Sequence, residues 1–396
     1  MNIFIVASRI PFPLEKGDKL RLFHHIKSLS QLHDITLCCL SSSSLTDQQK
    51  EALSPYVKAL HVFPLSPSRR FFRMLKAWAS PLPFQVTWFT DLRVKRRVQA
   101  LVDEDQPDVI YCQLVRCAEY VKDLHHVPKV LDYMDALSAG MHRRAHTEQQ
   151  GWKRWIRWLM RAEGTRLARY ESRMFDYFDA HLVISRNDRL LIPHRDREDI
   201  HLVPNGVDLS AFFPAEQRSL TPPVLLFSGN MSYAPNVDAA HYLVEEILPR
   251  VKNPDVRVVL AGAEPKASIQ ALSSDKVTVT GWIDDIAEEY RKATLFVAPL
   301  RMGTGLQNKV LEAMATELPC VLSPHAFSPL GLPTEGHTEV CQDAEAFAQK
   351  IDALLDHPEK AQAMAKRAKQ QVEVVFSWEQ HGRRLNDILK ETSQLK

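Results

Sequence analysis

Short apolar runs and helix-patterned stretches alternate along almost the whole chain, in two successive series. In the first, "NIFIVAS", "DITLCCL", "ALHVFPL", "DVIYCQ", "KVLDYM" and "AHLVIS" follow one another with helical segments between them. Runs that are apolar at nearly every position read as strands buried on both faces, the condition of a parallel sheet wrapped by helices. "HLVPNGVDLSAFFP" then breaks the pattern with Pro204, Gly206 and Pro214, and the polar "AEQRSLTPP" follows. A second series runs "PVLLFSG", "VRVVLAG", "VTVTG", "TLFVAPL" and "PCVLS". The expected fold is α/β, with two doubly wound, Rossmann-like domains facing a central cleft. Turn residues place the boundary within 205–222. The expected division is 1–205 and 206–376, with a closing helix at about 377–396 packed back on the first domain. In such sheets ligands bind beyond the carboxyl ends of the strands.

Helices are expected at 18–32, 68–103 with interruptions at Pro81 and Pro83, 117–124, 147–178, 237–251, 285–293 and 306–316. The net charge of +2 over 396 residues argues against a nucleic-acid-binding character for the whole molecule. The six cysteines form no CxxC pair and have no zinc spacing, so buried, reduced thiols and no metal site are expected. "MNIFIVASRI" lacks the basic start of a signal peptide, and no apolar run approaches the length of a membrane span. A cytoplasmic location is expected, with peripheral attachment to the inner face of the membrane.

The stretch "RMGTGLQNKVLEAMA" sets Asn308, Lys309 and Glu312 on one arc of a helix that is otherwise apolar and lies between two core strands. Unpartnered, each would cost about 2–7 kcal/mol on burial. A Lys309–Glu312 ion pair is one resolution and a bound polar ligand is the other. The second gains from "GTG", where Gly303 and Gly305 let the backbone approach an anion at the expected helix start. Arg301 and Lys309 could add charge, and Glu312 could accept from sugar hydroxyls. A phosphate beside a diol is a nucleotide.

"GTGLQNKVLEAMATELPCVLS" resembles the donor-binding signature of glycosyltransferase family 4, which has the GT-B fold. Further similar segments lie in the expected order: "SRIPFPLEKGDKLRLFHHI", "VISRNDRLL", "VPNGVDLSAFF", "FSGNMSYAPNVDAAHYL", "VTVTGWIDDIAEEYRKATLFVAPL" and "FSWEQHGRRL". The set is most similar to members associated with exopolysaccharide or surface-glycan assembly. The resemblance implies a nucleotide-sugar donor held on the C-terminal domain and a glycan or lipid-linked saccharide acceptor. It also implies retention of anomeric configuration, and neither a cofactor nor a metal. Glu312 would bind the donor ribose, the Gly229–Asn230 turn would face the diphosphate, and Trp282 and Ile283 would approach the nucleobase. Gly303, Thr304, Gly305, Leu306 and Asn308 complete the expected donor loop. Two departures stand out. Thr304 occupies a position where many members carry a glutamate facing the donor sugar. "GNMSYAPN" also lacks the usual Arg and Lys, leaving Lys309, Arg301 and Lys19 to supply the charge.

In the N-terminal half, Gly17 sits at a loop-to-helix junction in "PFPLEKGDKLRL", where a small residue admits substrate or simply makes a turn. Asp18 is a candidate cap for that helix. Lys19 and Arg21 read either as site cations or as solvated first-turn charges, and His24 and His25 as structural. "KVLDYMDALS" offers Asp132, Asp135 and Ser138 at a strand's carboxyl end. Asp135 matches roughly the place where the family often sets a His or Asp toward the cleft. It could take the acceptor proton or stabilise positive character at the sugar, or it could cap a helix. Asp135 and Lys309 are the expected catalytic groups.

Residues 143–173 carry nine Arg and Lys against three Glu. On a helical wheel Trp152, Trp155, Ile156 and Leu159 oppose Lys153, Arg154, Arg157 and Arg161. That suits a helix lying on an anionic membrane surface, or one whose tryptophans pack on their own domain. No nucleic-acid motif accompanies the patch. The expected activity is glycosyl transfer. A sugar-nucleotide 2-epimerase of the same fold and a non-catalytic nucleotide- or glycan-binding subunit are the alternatives.

Overall fold

The computed structural model describes every residue except 15, 42–43, 67–69, 72, 75–76, 78–79, 148–153, 219, 303–304, 334–335 and 396; for 143–147 and 154–156 it describes the backbone alone. The chain divides into two compact units, Met1–Pro204 with Trp378–Lys396, and Asn205–Ser377.

The first unit is built on a seven-stranded sheet of order β3-β2-β1-β4-β5-β6-β7, parallel throughout. Its strands are β1 (Asn2–Ala7), β2 (Asp34–Ser41), β3 (Ala59–Pro64), β4 (Val109–Gln113), β5 (Lys129–Met134), β6 (Ala180–Val183) and β7 (His201–Leu202). Side chains alternate across the sheet. Phe4, Val6, Ile110 and Cys112 face one core, whereas Ile3, Ile5, Val109 and Tyr111 face the other. The C-terminal helix Trp378–Ser393 joins the second of these cores through Leu385, Ile388 and Leu389. Gly382 meets the helix Gly17–Leu29 there, and a methyl group at that position would overlap the Ser28 side chain.

The second unit carries a six-stranded parallel sheet of order β10-β9-β8-β11-β12-β13. The strands are β8 (Val224–Ser228), β9 (Arg257–Ala261), β10 (Val277–Gly281), β11 (Leu295–Ala298), β12 (Cys320–Leu322) and β13 (Glu339–Val340). In each sheet the winding reverses beside the first strand of the series, between β1 and β4 and between β8 and β11. Those reversals are the topological switch points at which loops diverge and leave room for a ligand.

Several helix expectations are corrected. Residues 68–103 contain Phe84–Phe89 and Leu92–Asp105 as separate helices, and 117–124 gives way to a 3-10 segment, Val115–Tyr120. Of the helix expected at 147–178 the described part is Arg154–Phe175, and a further helix that was not expected, Leu137–Thr147, precedes it. They pack closely, since a Cβ on Gly164 would come within 2.9 Å of the His142 ring. The helix expected at 237–251 starts earlier, as Ala234–His241 with Pro235 in its first turn, and continues as a π-helical turn, Tyr242–Ile247. Among the described residues no helix is long and apolar enough to cross a membrane. All six cysteines are buried and free, and burial pushes the Cys38 and Cys117 thiols up to about 12, which keeps them protonated.

Candidate active site

In the second unit the loops after β8, β9 and β11 meet at the switch point. β8 runs into Gly229, at φ +145°, and β9 into Gly262, at φ +138°. A side chain on Gly262 would overlap the Gly229 carbonyl. The two turns are stitched by Gly229 N–H to Ala261 O at 2.9 Å and Met231 N–H to Ala263 O at 2.8 Å. Only glycine tolerates both the left-handed backbone and the contact.

The helix expected at 306–316 runs from Asn308 to Ala315, so it begins past the GTG run rather than on it. Gly305 has φ +80° and Gln307 is extended, so the chain cannot close a helical turn before Asn308. Gln307 occupies the cap position without a side-chain cap bond. The helix start on which an anion site was expected therefore lies past Gly305, and Gly303 and Thr304 lie outside the described residues. Leu306 packs on the core.

The polar arc of that helix is present. Val310, Leu311, Ala313, Met314 and Ala315 are buried, while Asn308, Lys309 and Glu312 are half-buried. The Lys309–Glu312 ion pair does not form. Lys309 donates to Asn236 Oδ1 at 2.6 Å, and its Nζ lies 4.6 Å from the centre of the Phe227 ring. A Cβ on Gly229 would stand 2.8 Å from that ammonium, so Lys309 sits directly beneath the glycine turn. Burial lowers its pKa to about 7, against the opposing pull of Glu312. Glu312 accepts from the Tyr290 hydroxyl at 2.8 Å, and burial raises its pKa. Tyr290 is itself buried and 2.6 Å from Ser228 Oγ. Asn205 donates to Asn308 Oδ1 at 3.3 Å.

Tyr290, Ser228 and Asn236 had no sequence reading. Tyr290 sits in "IAEEYRK" where any amphipathic helix places an apolar residue, and only the fold brings its hydroxyl to Glu312. Arg301 forms a two-point ion pair with Asp238, at 2.5 and 3.0 Å, and stacks on Tyr242 at 4.4 Å. Its charge is thus met within the unit, whereas no carboxylate meets that of Lys309 among the described residues. Asn230 bonds Glu264 and Ser232, which fixes the turn beside Gly229. Trp282 is 59% exposed and donates its Nε1–H to Asp284, and Ile283 rests on the core.

In the first unit, Gly17 opens the helix Gly17–Leu29, and the closest atom to a Cβ there would be Met134 Cε at 3.9 Å. The loop bearing Asp135 and the start of that helix are therefore neighbours at the carboxyl edge of the sheet. Asp135 is half-buried. Four expectations are corrected here. Asp18 is not the cap; Lys16 occupies that position, and Asp18 pairs with Arg9 at 2.5 Å. Arg21 is fully buried and bound to Asp132 at 2.7 and 3.2 Å, so it is no solvated charge. Asp132 also accepts from Tyr111 and from the Met134 N–H, a saturated structural carboxylate with no capacity left for a substrate. Ser138, expected at the strand's carboxyl end as a site residue, gives its hydroxyl to Glu171, and burial lifts Glu171 to about 7. His24 stacks on Trp378, and His25 bonds Tyr111, both in the core. Of the amphipathic face expected for membrane contact, Trp152 and Lys153 lie outside the described residues, as do the side chains of Arg154, Trp155 and Ile156. Trp158 is 62% exposed.

The comparisons with known proteins agree with this architecture. The family model described as "Glycosyl transferases group 1" matches residues 222–357, the segment that carries Gly229, Tyr290, Lys309 and Glu312. This segment belongs to the glycosyl transferases group 1 family. The group 1 segment fills most of the second unit. Over 217 residues the chain is 26% identical to a GDP-mannose-dependent monoacylated alpha-(1-6)-phosphatidylinositol monomannoside mannosyltransferase from Corynebacterium glutamicum. That match takes in 48% of this chain and 55% of the relative, so the chain spans about half the length of the curated relative it matches. A sucrose-phosphate synthase from Thermosynechococcus elongatus superposes over 100% of both chains with TM-score 0.72 at 15% identity. The Anabaena protein HepE in complex with UDP-glucose superposes over 98% of this chain and 99% of its own, with TM-score 0.69 at 14% identity. The fold is GT-B, and the sequence resemblance to glycosyltransferase family 4 stands with the group 1 match.

Proposed function

We propose that this protein transfers a glycosyl group from a nucleotide-sugar to a hydroxyl of a glycan or lipid-linked saccharide, in exopolysaccharide or cell-surface glycan synthesis. The observation that carries the reading is the Lys309–Gly229–Glu312 arrangement. A cation that no carboxylate meets among the described residues lies beneath a side-chain-free turn, and a half-buried carboxylate stands one helical turn away. The turn admits a diphosphate, Lys309 meets its charge, and Glu312 accepts from an adjacent ribose. The relatives that bind or use GDP-mannose and UDP-glucose support the same class of donor.

In the proposed reaction the acceptor oxygen bonds to the anomeric carbon as the bond from that carbon to the diphosphate oxygen breaks. Lys309 stabilises the charge gathering on the departing diphosphate, which is electrostatic catalysis. Asp135 takes the acceptor proton or stabilises positive character at the sugar. Retention of configuration and independence of metal are proposed on the family resemblance. Peripheral attachment through residues 143–173 is proposed on their charge pattern alone.

A nucleotide-sugar panel that includes UDP-glucose and GDP-mannose tests the donor site by thermal shift, since a ligand of the native state raises its melting temperature. At least one donor should raise it in the wild type and fail to do so in Glu312→Ala, with transfer lost alongside. Normal turnover by Glu312→Ala would remove the donor assignment.

A further inference from the structure

The first unit contains a cavity of about 380 Å³ at the carboxyl ends of β1 and β2. Arg9, Lys16, Lys19 and Arg70 line it together with Trp88 and Phe89, and the described lining includes no carboxylate. Arg9 is met by Asp18.

Arg70 is the unusual member. It is only 9% exposed, and its guanidinium carbon lies 5.3 Å from the centre of the Trp88 ring and 6.0 Å from that of Phe89. Among the described residues no carboxylate or carbonyl accepts from that guanidinium, and Nε is buried without a partner. Arg116 lies 5.0 Å from the Phe89 ring, and its buried Nε also lacks an acceptor. Arg73, one turn away and outside the cavity lining, is paired through Nη1 with Asp91 at 2.6 Å, and its Nε and Nη2 are buried without a partner as well.

A buried N–H left without an acceptor is costly, and the fold bears that cost at Arg70, whose side chain borders the cavity. Aromatic stacking fixes the plane of the group. A planar fork of N–H donors suits the paired oxygens of a phosphate better than any neutral partner. The exposed Lys16 adds a point charge on the same lining.

We propose that this cavity holds a phosphate or diphosphate group carried by the acceptor. The proposal rests on the glycosyl-transfer reading for the word acceptor, but not for the anion site itself. Trp88 and Phe89 then hold Arg70 in place, and the apolar edge they form lies beside the phosphate substituent.

The test is calorimetric titration of the full chain with inorganic pyrophosphate, with and without saturating UDP or GDP. The wild type should bind pyrophosphate in both conditions, Arg70→Gln at least tenfold more weakly, and the exposed-site variant Lys16→Ala a few-fold more weakly. Melting curves confirm that both variants are folded, and Lys16→Ala keeps the test decisive if Arg70→Gln does not fold. Unchanged affinity in folded Arg70→Gln, or in both variants, would overturn the proposal. So would loss of the Arg70-dependent binding when the nucleoside diphosphate is present, because the cavity would then serve the donor. If neither nucleoside diphosphate binds, the donor reading fails while the titration of the free chain still decides the anion site. Sedimentation with phosphatidylglycerol vesicles separates two sources of the phosphate. Pelleting that Arg70→Gln abolishes assigns it to a bilayer lipid, and pelleting indifferent to Arg70 assigns it to a saccharide-linked phosphate.

Discussion

Donor binding should be linked to a proton through Lys309. The ammonium is buried beside Phe227 and Asn236, which lowers its pKa from 10.5 to about 7. At that value roughly 0.9 of the free molecules carry the proton at pH 6, and roughly 0.1 at pH 8. A nucleotide-sugar keeps its diphosphate charge over this range, so the titration belongs to the protein. If the bound diphosphate holds Lys309 charged, the complex takes up roughly 0.9 proton per donor at pH 8 and roughly 0.1 at pH 6. Affinity should then fall about tenfold between pH 6 and pH 8, the fraction of protein already protonated falling by that factor. Calorimetry at pH 8 in two buffers of different ionisation enthalpy reads the uptake directly. Lys309→Met should bind weakly at both pH values and take up no proton from this site. The same group sets a stability slope of known sign. Between about pH 7 and 10.5 the unfolded chain holds a proton that the folded chain has released, so this contribution to stability rises with pH, and below pH 7 the cost of burying the charge is felt in full. The stability difference between Lys309→Met and the wild type should shrink as pH rises through that window. Tight donor binding at pH 8 with no proton uptake would refute the reasoning.

Two further outcomes follow from the packing. Gly262→Ala places a methyl against the Gly229 carbonyl at φ +138°, and should destabilise the second unit by about 3 kcal/mol or more in urea unfolding. Gly281→Ala, at φ +72° with open space around it, should cost only about 1 kcal/mol. Arg21→Met leaves Asp132 buried without its cation and should cost about 3–5 kcal/mol, measured by denaturant midpoint, whereas an isosteric apolar replacement of both partners should recover most of it.

The division between what could be read along the chain and what could not is visible in single residues. "NKVLE" announces a polar arc because helix periodicity is local, and Lys309 and Glu312 do share a half-buried face. Where that helix begins was not legible, because Gly305 can extend or interrupt a helix with equal ease and only its actual φ of +80° decides. Arg21 looked like a first-turn surface charge; its burial depends on Asp132, 111 residues away. Arg301 was expected at the phosphate, and Asp238 on another helix takes its charge.

By itself the sequence determined the two parallel-sheet series, the buried character of their strands and the polar arc of the helix at Asn308, all of them consequences of periods of two to four residues. The tertiary structure alone decided which polar groups are spent on each other. It spends Asp132 on Arg21 and Arg301 on Asp238, sets Tyr290 on Glu312, and leaves Lys309 and Arg70 without a carboxylate among the described residues. The physical reason is that pairing of charges depends on distances across the fold, which no local pattern encodes, whereas apolar burial depends on which face of an element a residue occupies, which local pattern does.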